Sequence, residues 1–327
     1  MVKLALKRKN NYLCLFKNNR MSHKFLFFAA FVALILQGFS SCTTCSRKRE
    51  TFIIPDYVLN DDSDTTIQPN MIMDMVDNIG SPIEMASLMR SLELPFSQRY
   101  LAPARNASSR FFTSQEKAFN LGVFGCNLGY INMYNRVSIV LDYITAMRTL
   151  ADGINVGQFF DFSTLRRIVQ SNQNVDSLVQ ISQQSFNKMS KYLQDYNRGN
   201  LSLLMVAGVW VEGLYLTTQF LKERPHERRL AESIGEQKVI LEQLLIFLNN
   251  YDKDAYIADL IVQLSTIKEI YDGIEITYEI SEPEYIEENG FMTIVQTESS
   301  TVHYTDEQMR MIIDQTEIVR NKMIKNN

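Results

Sequence analysis

Two polar side chains stand in otherwise apolar sequence and are the first candidates for chemistry. Glu212 interrupts the run L-S-L-L-M-V-A-G-V-W-V-E-G-L-Y-L at 201–216, and Asn127 interrupts the segment around G-C-N-L-G. A carboxylate in such a run faces a cavity or is buried, and a buried one must be paired, hydrogen-bonded or protonated. We expect the two side chains to lie together, either as a structural contact between central helices or as part of a small ligand pocket. The candidate residues of that polar site are Glu212, Asn127, Trp210, Tyr130 and Tyr215.

Three glycines share one face of the helix expected around Asn127. Gly122, Gly125 and Gly129 stand at positions i, i+3 and i+7, and a glycine inside a helix costs about 1 kcal/mol relative to alanine. Close approach of another helix backbone would offset that cost, so the stripe predicts tight packing against the helix at 201–216. A ligand lying against the bare backbone is the alternative. Small residues on the second helix permit the close approach: Ala207, Gly208 and Gly213.

Recognisable catalytic machinery is thin. No G-x-S-x-G, Walker or dinucleotide-binding motif appears. The histidines His23, His226 and His303 are not placed for a shared metal or catalytic site. The sequence therefore predicts no catalytic residue, no metal site and no cofactor. The alternative is a glycosidase-like hydrolase whose carboxylates converge only in the fold, and the acids available for it are Glu116, Asp142, Asp176 and Glu212.

Charge is unevenly distributed along the chain. The whole sequence carries −4 at pH 7, yet residues 1–41 contain seven Lys or Arg and no acid, so the remainder is strongly acidic. This argues against a nucleic-acid partner, because phosphate binding needs clustered bases. The irregular segment 93–112 contains three arginines. We expect them to pair with acidic residues of the same protein. The alternative is that they bind an anionic glycan or a lipid headgroup. The three arginines are Arg99, Arg105 and Arg110.

The N-terminal region has the organisation of an export signal. From Met21, a short basic segment precedes the apolar run F-L-F-F-A-A-F-V-A-L-I-L at 25–36, and small residues lead to Cys42. A helix that spans a bilayer needs about 20 apolar residues, so this run is short for a permanent anchor. We predict that residues 1–41 are a signal peptide, with the true start at Met21. A plain signal peptide or a transmembrane helix is the alternative to the lipidated form described next.

The tetrapeptide Phe39-Ser40-Ser41-Cys42 resembles the lipobox of bacterial lipoproteins, of the Bacteroidetes type. The resemblance implies that the Cys42 thiol is acylated, for example with palmitate, and that the peptide is cut before this residue. Phe39 departs from the family pattern, which usually has Leu there. Basic residues at 47–49 and the lack of Asp at 43 imply, by the same resemblance, an outer-membrane protein that faces the periplasm.

Beyond the signal, the chain divides into a tether and one domain. Residues 42–68 are polar, with N-D-D-S-D at 60–64, and are predicted to form a flexible tether. Residues 69–327 are predicted to be a single helical domain, since a hydrophobic content of 46% is ordinary for a globular protein. Cys126 is predicted to be a buried free thiol without a disulfide framework.

Helical periodicity dominates residues 69–327, and two capping boxes mark helix starts, Thr113 with Glu116 and Thr305 with Gln308. The predicted fold class is all-α, a multi-helix bundle with a small β-hairpin before the C-terminal helix. The hairpin is expected from strands at 291–296 and 301–304. The segment I-E-I-T-Y-E-I at 274–280 also alternates at strand period, but helix is preferred there through about 278. The predicted helices span 70–78, 81–92, 114–134, 136–152, 162–171, 174–197, 201–222, 226–249, 253–278 and 306–325.

Two core segments carry a second resemblance. N-L-G-V-F-G-C-N-L-G-Y at 120–130 and G-V-W-V-E-G-L-Y-L at 208–216, with the C-terminal I-V-R-N-K-M-I, resemble an uncharacterised set of Bacteroidetes lipoproteins. The resemblance implies the lipoprotein class and a helical body, and no activity. We therefore expect a lipid-anchored, non-enzymatic binding or scaffold protein of the cell envelope. Its lipid would be its membrane contact, and its protein or small-molecule partner is not specified by the sequence.

Overall fold

The computed structural model describes residues 4–7, 11–16, 91–105, 107–134, 136–165, 175–280, 284–288 and 291–325. Several predicted features lie wholly or largely outside these ranges. They are the predicted signal from Met21, Cys42, the predicted tether, the helix expected at 70–78, residues 81–90 of the helix expected at 81–92, and residues 166–171 of the helix expected at 162–171. The chain forms two compact units. One comprises Met1–Thr65 and Tyr278–Ser300, and the other comprises Thr66–Thr277 and Thr301–Asn327.

Antiparallel strands characterise the smaller unit. Strand β1 (Leu4–Lys7) pairs with β2 (Asn11–Phe16), and β2 pairs with β5 (Phe291–His303) in the register Asn11 opposite Thr297. Strand β4 (Glu284–Glu288) also pairs with β5, placing Glu284 opposite Val295. The β4–β5 hairpin precedes the C-terminal helix, as the fold class predicts. The assignment of residues 1–41 to a cleaved signal stays a prediction.

The position of the hairpin corrects two expectations. The hairpin expected from strands at 291–296 and 301–304 is misplaced, because β5 runs without a turn from Phe291 to His303. The predicted helix at 253–278 ends at Tyr271, and Glu275–Ile280 form strand β3. Alternation at strand period therefore prevails over helical spacing after Gly273, and Ile274 is buried just before the strand begins. Strand β4 also lies within the segment 281–290, which lacks a predicted element.

Helices form the larger unit, so the all-α class is confirmed. Most helix positions match the periodicity of the sequence, and both capping boxes are present, at Thr113 and Thr305. Asp254 caps a further helix by accepting from the N–H groups of Tyr256 and Ile257. The helices are α1 (Ala107–Arg110), α2 (Ser114–Met133), α3 (Val137–Asp152), α4 (Val175–Asp195), α5 (Gly199–Glu223), α6 (Arg228–Gly235), α7 (Gln237–Asn249), α8 (Ala255–Tyr271) and α9 (Asp306–Met323).

One predicted helix, 226–249, is divided in the structure. Helix α6 begins at Arg228 and ends at Gly235, and α7 begins at Gln237 after Glu236. Gly235 lies so close to the side chain of Val302 that a Cβ atom at this position would overlap it. A glycine is therefore needed at the division because of a segment distant in sequence, which helical periodicity does not report.

Helix α5 is the central element of the larger unit. Nearly all of its residues are buried, and α2, α4, α6, α7 and α9 pack around it. Among the described residues, it is the helix long and apolar enough to cross a membrane, but 94% of its apolar window is buried inside the protein. This burial is what the core helix of a bundle shows.

The closest packing in the larger unit joins α2 to α5. A Cβ atom on Gly122 would overlap the carbonyl oxygen of Met205, and one on Gly208 would overlap that of Phe119. The two backbones thus touch reciprocally, as the glycine stripe predicts. Gly125 does not belong to this crossing, because its nearest neighbour is the Met147 methyl group of α3, 3.8 Å from a Cβ built there.

Candidate functional site

The structure brings Glu212 and Asn127 together at the interface of α5 and α2. Both side chains are fully buried, and Asn127 Nδ2 donates to Glu212 Oε1 at 2.6 Å. Helices α2 and α5 run in the same direction, since the contacts Phe119–Gly208 and Asn127–Glu212 advance along both helices. The glycine crossing therefore lies beside the polar contact and presses the two helices together there.

A third residue, Arg320 of α9, completes the site. Its Nε donates to Glu212 Oε2 and its Nη2 to Glu212 Oε1, each at 2.9 Å. The side chain of Arg320 is 3% exposed and that of Glu212 is 0% exposed. This is a bidentate, fully buried ion pair, the strong geometry for a guanidinium and a carboxylate.

The remaining faces of the guanidinium are also engaged. Nη2 donates to the Tyr100 carbonyl at 3.1 Å and Nη1 to Asn321 Oδ1 at 3.2 Å. The ring of Tyr215 lies 4.2 Å from the guanidinium carbon, so Arg320 makes a cation–π contact. Every group of this buried cation therefore has a partner, which is what its burial requires.

The amide of Asn127 extends the network to the segment before α1. Its Oδ1 accepts from the Ala102 N–H at 2.8 Å, and its Nδ2 also donates to the Val123 carbonyl at 2.9 Å. The Tyr143 hydroxyl of α3 donates to the Ala102 carbonyl at 2.6 Å. We call Glu212, Arg320, Asn127, Tyr143 and Tyr215 the polar core. It ties together α2, α3, α5, α9 and the segment 100–102.

Burial sets the protonation of the groups around the pair. Burial alone would lower the pKa of Arg320, but the adjacent Glu212 carboxylate outweighs it and the pKa is raised. The pKa of Cys126 is raised well above its usual value by burial and by the negative charge of Glu212. Burial followed by Glu212 also raises the pKa of Tyr143. Arg320 therefore stays cationic, and the thiol and phenol stay protonated and unreactive.

Two of the candidate residues have their contacts elsewhere. Trp210 Nε1 donates to Gln237 Oε1 on α7 at 3.1 Å, because position 210 lies on the opposite side of α5 from position 212. The Tyr130 hydroxyl accepts from the Ser97 N–H at 2.9 Å, and its ring stacks on Phe96. The five candidates do not form one pocket, and Tyr215 joins the polar core through Arg320.

Arg320 is the residue that sequence reasoning missed. Arg320 stands near the C-terminal end of its helix, where the helix dipole favours a base. A base at that position can therefore be explained without a buried partner. A signal was nevertheless present, because position 320 follows Thr316 by four residues on the stripe that α9 buries. A base on a buried stripe requires an acid, and Glu212 is the acid within the apolar run at 201–216.

Two of the three arginines of the segment 93–112 pair with acids at the surface. The third, Arg110, makes no such pair within the described part of the chain, and its Nη1 is buried without a hydrogen-bond partner there. Arg99 Nη2 lies 3.3 Å from Glu223, and Arg105 Nε lies 4.0 Å from Asp142. Both arginines are exposed, so these pairs contribute little stability. The Tyr100 hydroxyl donates to Glu223, and burial together with this bond raises the pKa of Tyr100 to about 12.

The acids considered for hydrolysis are dispersed. Among the side chains that the structure describes, Glu212 is the only buried acid. Glu116 caps α2 and binds Lys325, and Asp142 lies at the surface. The side chain of Asp176 falls outside the described part. Within the described ranges, no three His, Cys, Asp or Glu side chains are grouped to hold a metal ion.

Comparison of the chain with protein-family models, curated proteins and solved structures finds no match. The resemblance to lipoproteins therefore stays a prediction.

Proposed function

We propose that this chain is a lipid-anchored protein of the cell envelope whose helical body has a non-enzymatic binding or scaffold role. The binding or scaffold role rests on the contacts and burial of Glu212. Its two oxygens accept three hydrogen bonds from Arg320 and Asn127 within a fully buried core. A carboxylate held in this way cannot reach a substrate unless the bundle opens. The polar core therefore favours a structural role, in which it fixes the arrangement of the helices that present the outer surface.

The hydrolase alternative needs different geometry. A glycosidase uses two carboxyl groups about 5–10 Å apart that flank an accessible sugar. Glu212 is neutralised by Arg320, and Glu116 is engaged in a helix cap at the surface. The contacts of these two acids support the binding or scaffold proposal over hydrolysis.

The anchor is proposed from the sequence alone. The segment around Cys42 resembles a lipobox, and the apolar run before it is too short for an ordinary membrane span. The chain would be acylated on Cys42, cut before it, and retained at the outer membrane, facing the periplasm. The acidic body argues against adhesion to an anionic membrane surface by charge, so the lipid would be the main membrane contact.

Replacement of Cys42 tests the anchor. Cys42→Ala should give an unprocessed or soluble exported form that incorporates no palmitate label, because the acylated thiol is gone. Cys45→Ala is the matched control, since it removes a cysteine three residues away and should leave processing and membrane fractionation unchanged. If Cys42→Ala still fractionates with membranes, with processing unaltered, the lipoprotein proposal is wrong.

A further inference from the structure

Exposed apolar side chains gather on the outer face of α8 and α9. Val262 of α8 is 59% exposed, and Met311 and Ile318 of α9 are 47% and 58% exposed. Met311 and Ile318 are seven residues apart, so they lie on one stripe of α9. We call these three residues the seam patch.

Three side-chain hydrogen bonds fix the two helices beneath the patch. On α9 they recur every seven residues, and the partner positions rise by seven along α8 and the turn that follows it. Because the positions descend on α9 as they rise on the partner segment, the two helices are antiparallel. Val262 lies between the first two bonds on α8, as Ile318 does on α9. The bonds are Lys322 to Asp259 at 2.6 Å, Gln315 to Thr266 at 2.7 Å and Gln308 to the Gly273 carbonyl at 2.7 Å.

The patch is held in place from behind as well. Ile312 and Val319 of α9 are buried in the core, and Arg320 is fixed to Glu212. Neither Met311 nor Ile318 can turn inward without breaking these contacts. Their exposure is therefore fixed by the packing of α9, and a contiguous exposed apolar patch is a candidate for an interaction surface.

We propose that the seam patch is the interface of a homodimer in which two copies of α9 pack antiparallel about a two-fold axis. Such an axis through the middle of the stripe sets Met311 of one copy against Ile318 of the other. The charges at the two ends of α9 fit this arrangement, because Asp306 and Glu307 stand in its first turn and Lys322, which also bonds Asp259, stands near its end. Asp314, which is exposed beside the axis, would lie near its own copy and opposes the pairing. Antiparallel packing brings the acidic end of each helix to the basic end of the other, whereas parallel packing would bring like charges together.

The proposal does not rest on the lipid anchor, so it can fail while the anchor proposal stands. The proposed partner is a second copy of this chain, because the residues of α9 can pair with residues of the same helix in the other copy. Glu307, Met311, Ile318 and Lys322 would each meet a matching residue of the same helix in the other copy.

The oligomeric state of the full mature protein in detergent is the first test. The wild type should have the mass of a dimer by light scattering, and Ile318→Glu should raise the dissociation constant at least about tenfold, since it places a charge in the interface. Tyr196→Glu is the matched control, because Tyr196 is 64% exposed and lies just after α4, away from the patch. An unchanged circular dichroism melt shows that each variant is folded. A monomeric wild type, or an Ile318→Glu variant that stays dimeric, overturns the proposal.

Cross-linking in membranes tests the orientation without disrupting the patch. In a Cys45→Ser background, cells that make copies with Met311→Cys and copies with Ile318→Cys should form disulfide-linked dimers more readily than cells with either variant alone. A Tyr196→Cys variant should give no such product. Equal or stronger cross-linking within each single variant would indicate parallel packing and would overturn the antiparallel dimer. Disulfide formation to a different protein with no self-pairing would also overturn it.

Discussion

At the scale of single residues, the polar core is a buried charge with a distant partner. The residues Glu212 and Asn127 were visible in the sequence because each interrupts an apolar run. Arg320 was not, because it is 108 residues from Glu212 and stands where the helix dipole already favours a base. The local sequence shows that a buried carboxylate needs a partner, and the fold shows that this partner is Arg320.

The ion pair with Arg320 increases the loss of stability that we expect when Glu212 is substituted. With Asn127 as its sole partner, Glu212→Gln would cost at most about 1–2 kcal/mol. With Arg320 present, the same change leaves a buried cation without a counter-charge, so we expect the free energy of unfolding to fall by about 3–5 kcal/mol. Urea denaturation with a fitted midpoint and slope measures this difference.

A double variant and a surface pair serve as controls for the ion pair. Glu212→Leu combined with Arg320→Met should be far less destabilised than the sum of the single changes, because no charge is left stranded. Asp259→Asn, which removes the exposed pair with Lys322, should lower stability by at most about 1 kcal/mol. Additive losses in the double variant would show that Glu212 and Arg320 are not coupled.

At the scale of elements, caps and periodicity located the helices, and long-range contacts corrected them. Thr113 and Thr305 start α2 and α9 as their capping boxes predict. The close contact of Gly235 with Val302 and the strand that follows Gly273 were not predictable, because both depend on segments distant in sequence. The 3.5-residue spacing of the segment before 274 does not show where a helix gives way to a strand.

The crossing of α2 and α5 supplies a prediction with a control in the same helix. Gly122→Ala would force a Cβ atom into the Met205 carbonyl, so the backbones must separate, and we expect a loss of about 3 kcal/mol or more. Gly125→Ala has room beside the Met147 methyl group. It should be neutral or stabilise by up to about 1 kcal/mol, because alanine is the better helix former. Thermal and urea unfolding of both variants measures the contrast, and equal losses at the two positions would contradict the packing described.

At the scale of the whole molecule, the proposed anchor and dimer act together. A chain confined to a membrane by its lipid meets its own copies more often than a chain free in solution, so even a weak interface would be occupied. If residues 42–68 form the flexible tether that their composition predicts, the bodies would have enough freedom to meet. The anchor could be predicted from the sequence because the segment around Cys42 has a recognisable pattern. The seam patch could not, because the exposure of its residues depends on how α8 and α9 pack.

Protease treatment of intact cells tests which side of the outer membrane the protein occupies. We expect the protein to resist protease until the outer membrane is permeabilised, because basic residues follow Cys42 at 47–49 and surface-exposed lipoproteins of this type tend to have acids there. A known surface protein and a known periplasmic protein in the same cells are the controls. Loss of the protein from unpermeabilised cells would contradict the periplasmic assignment.

The distance in sequence between Glu212 and Arg320 also separates the times at which the two residues are synthesised. A ribosome adding about 5–20 residues per second would complete Glu212 about 5–20 s before Arg320, given the 108 residues between them. During that interval Glu212 has no cation to pair with. A chain that stops short of α9 would have to leave Glu212 solvated or protonate it in order to bury helix α5, and either choice costs stability. The last helix thus supplies the counter-charge of the interior, so the core reaches its full stability only when α9 has docked.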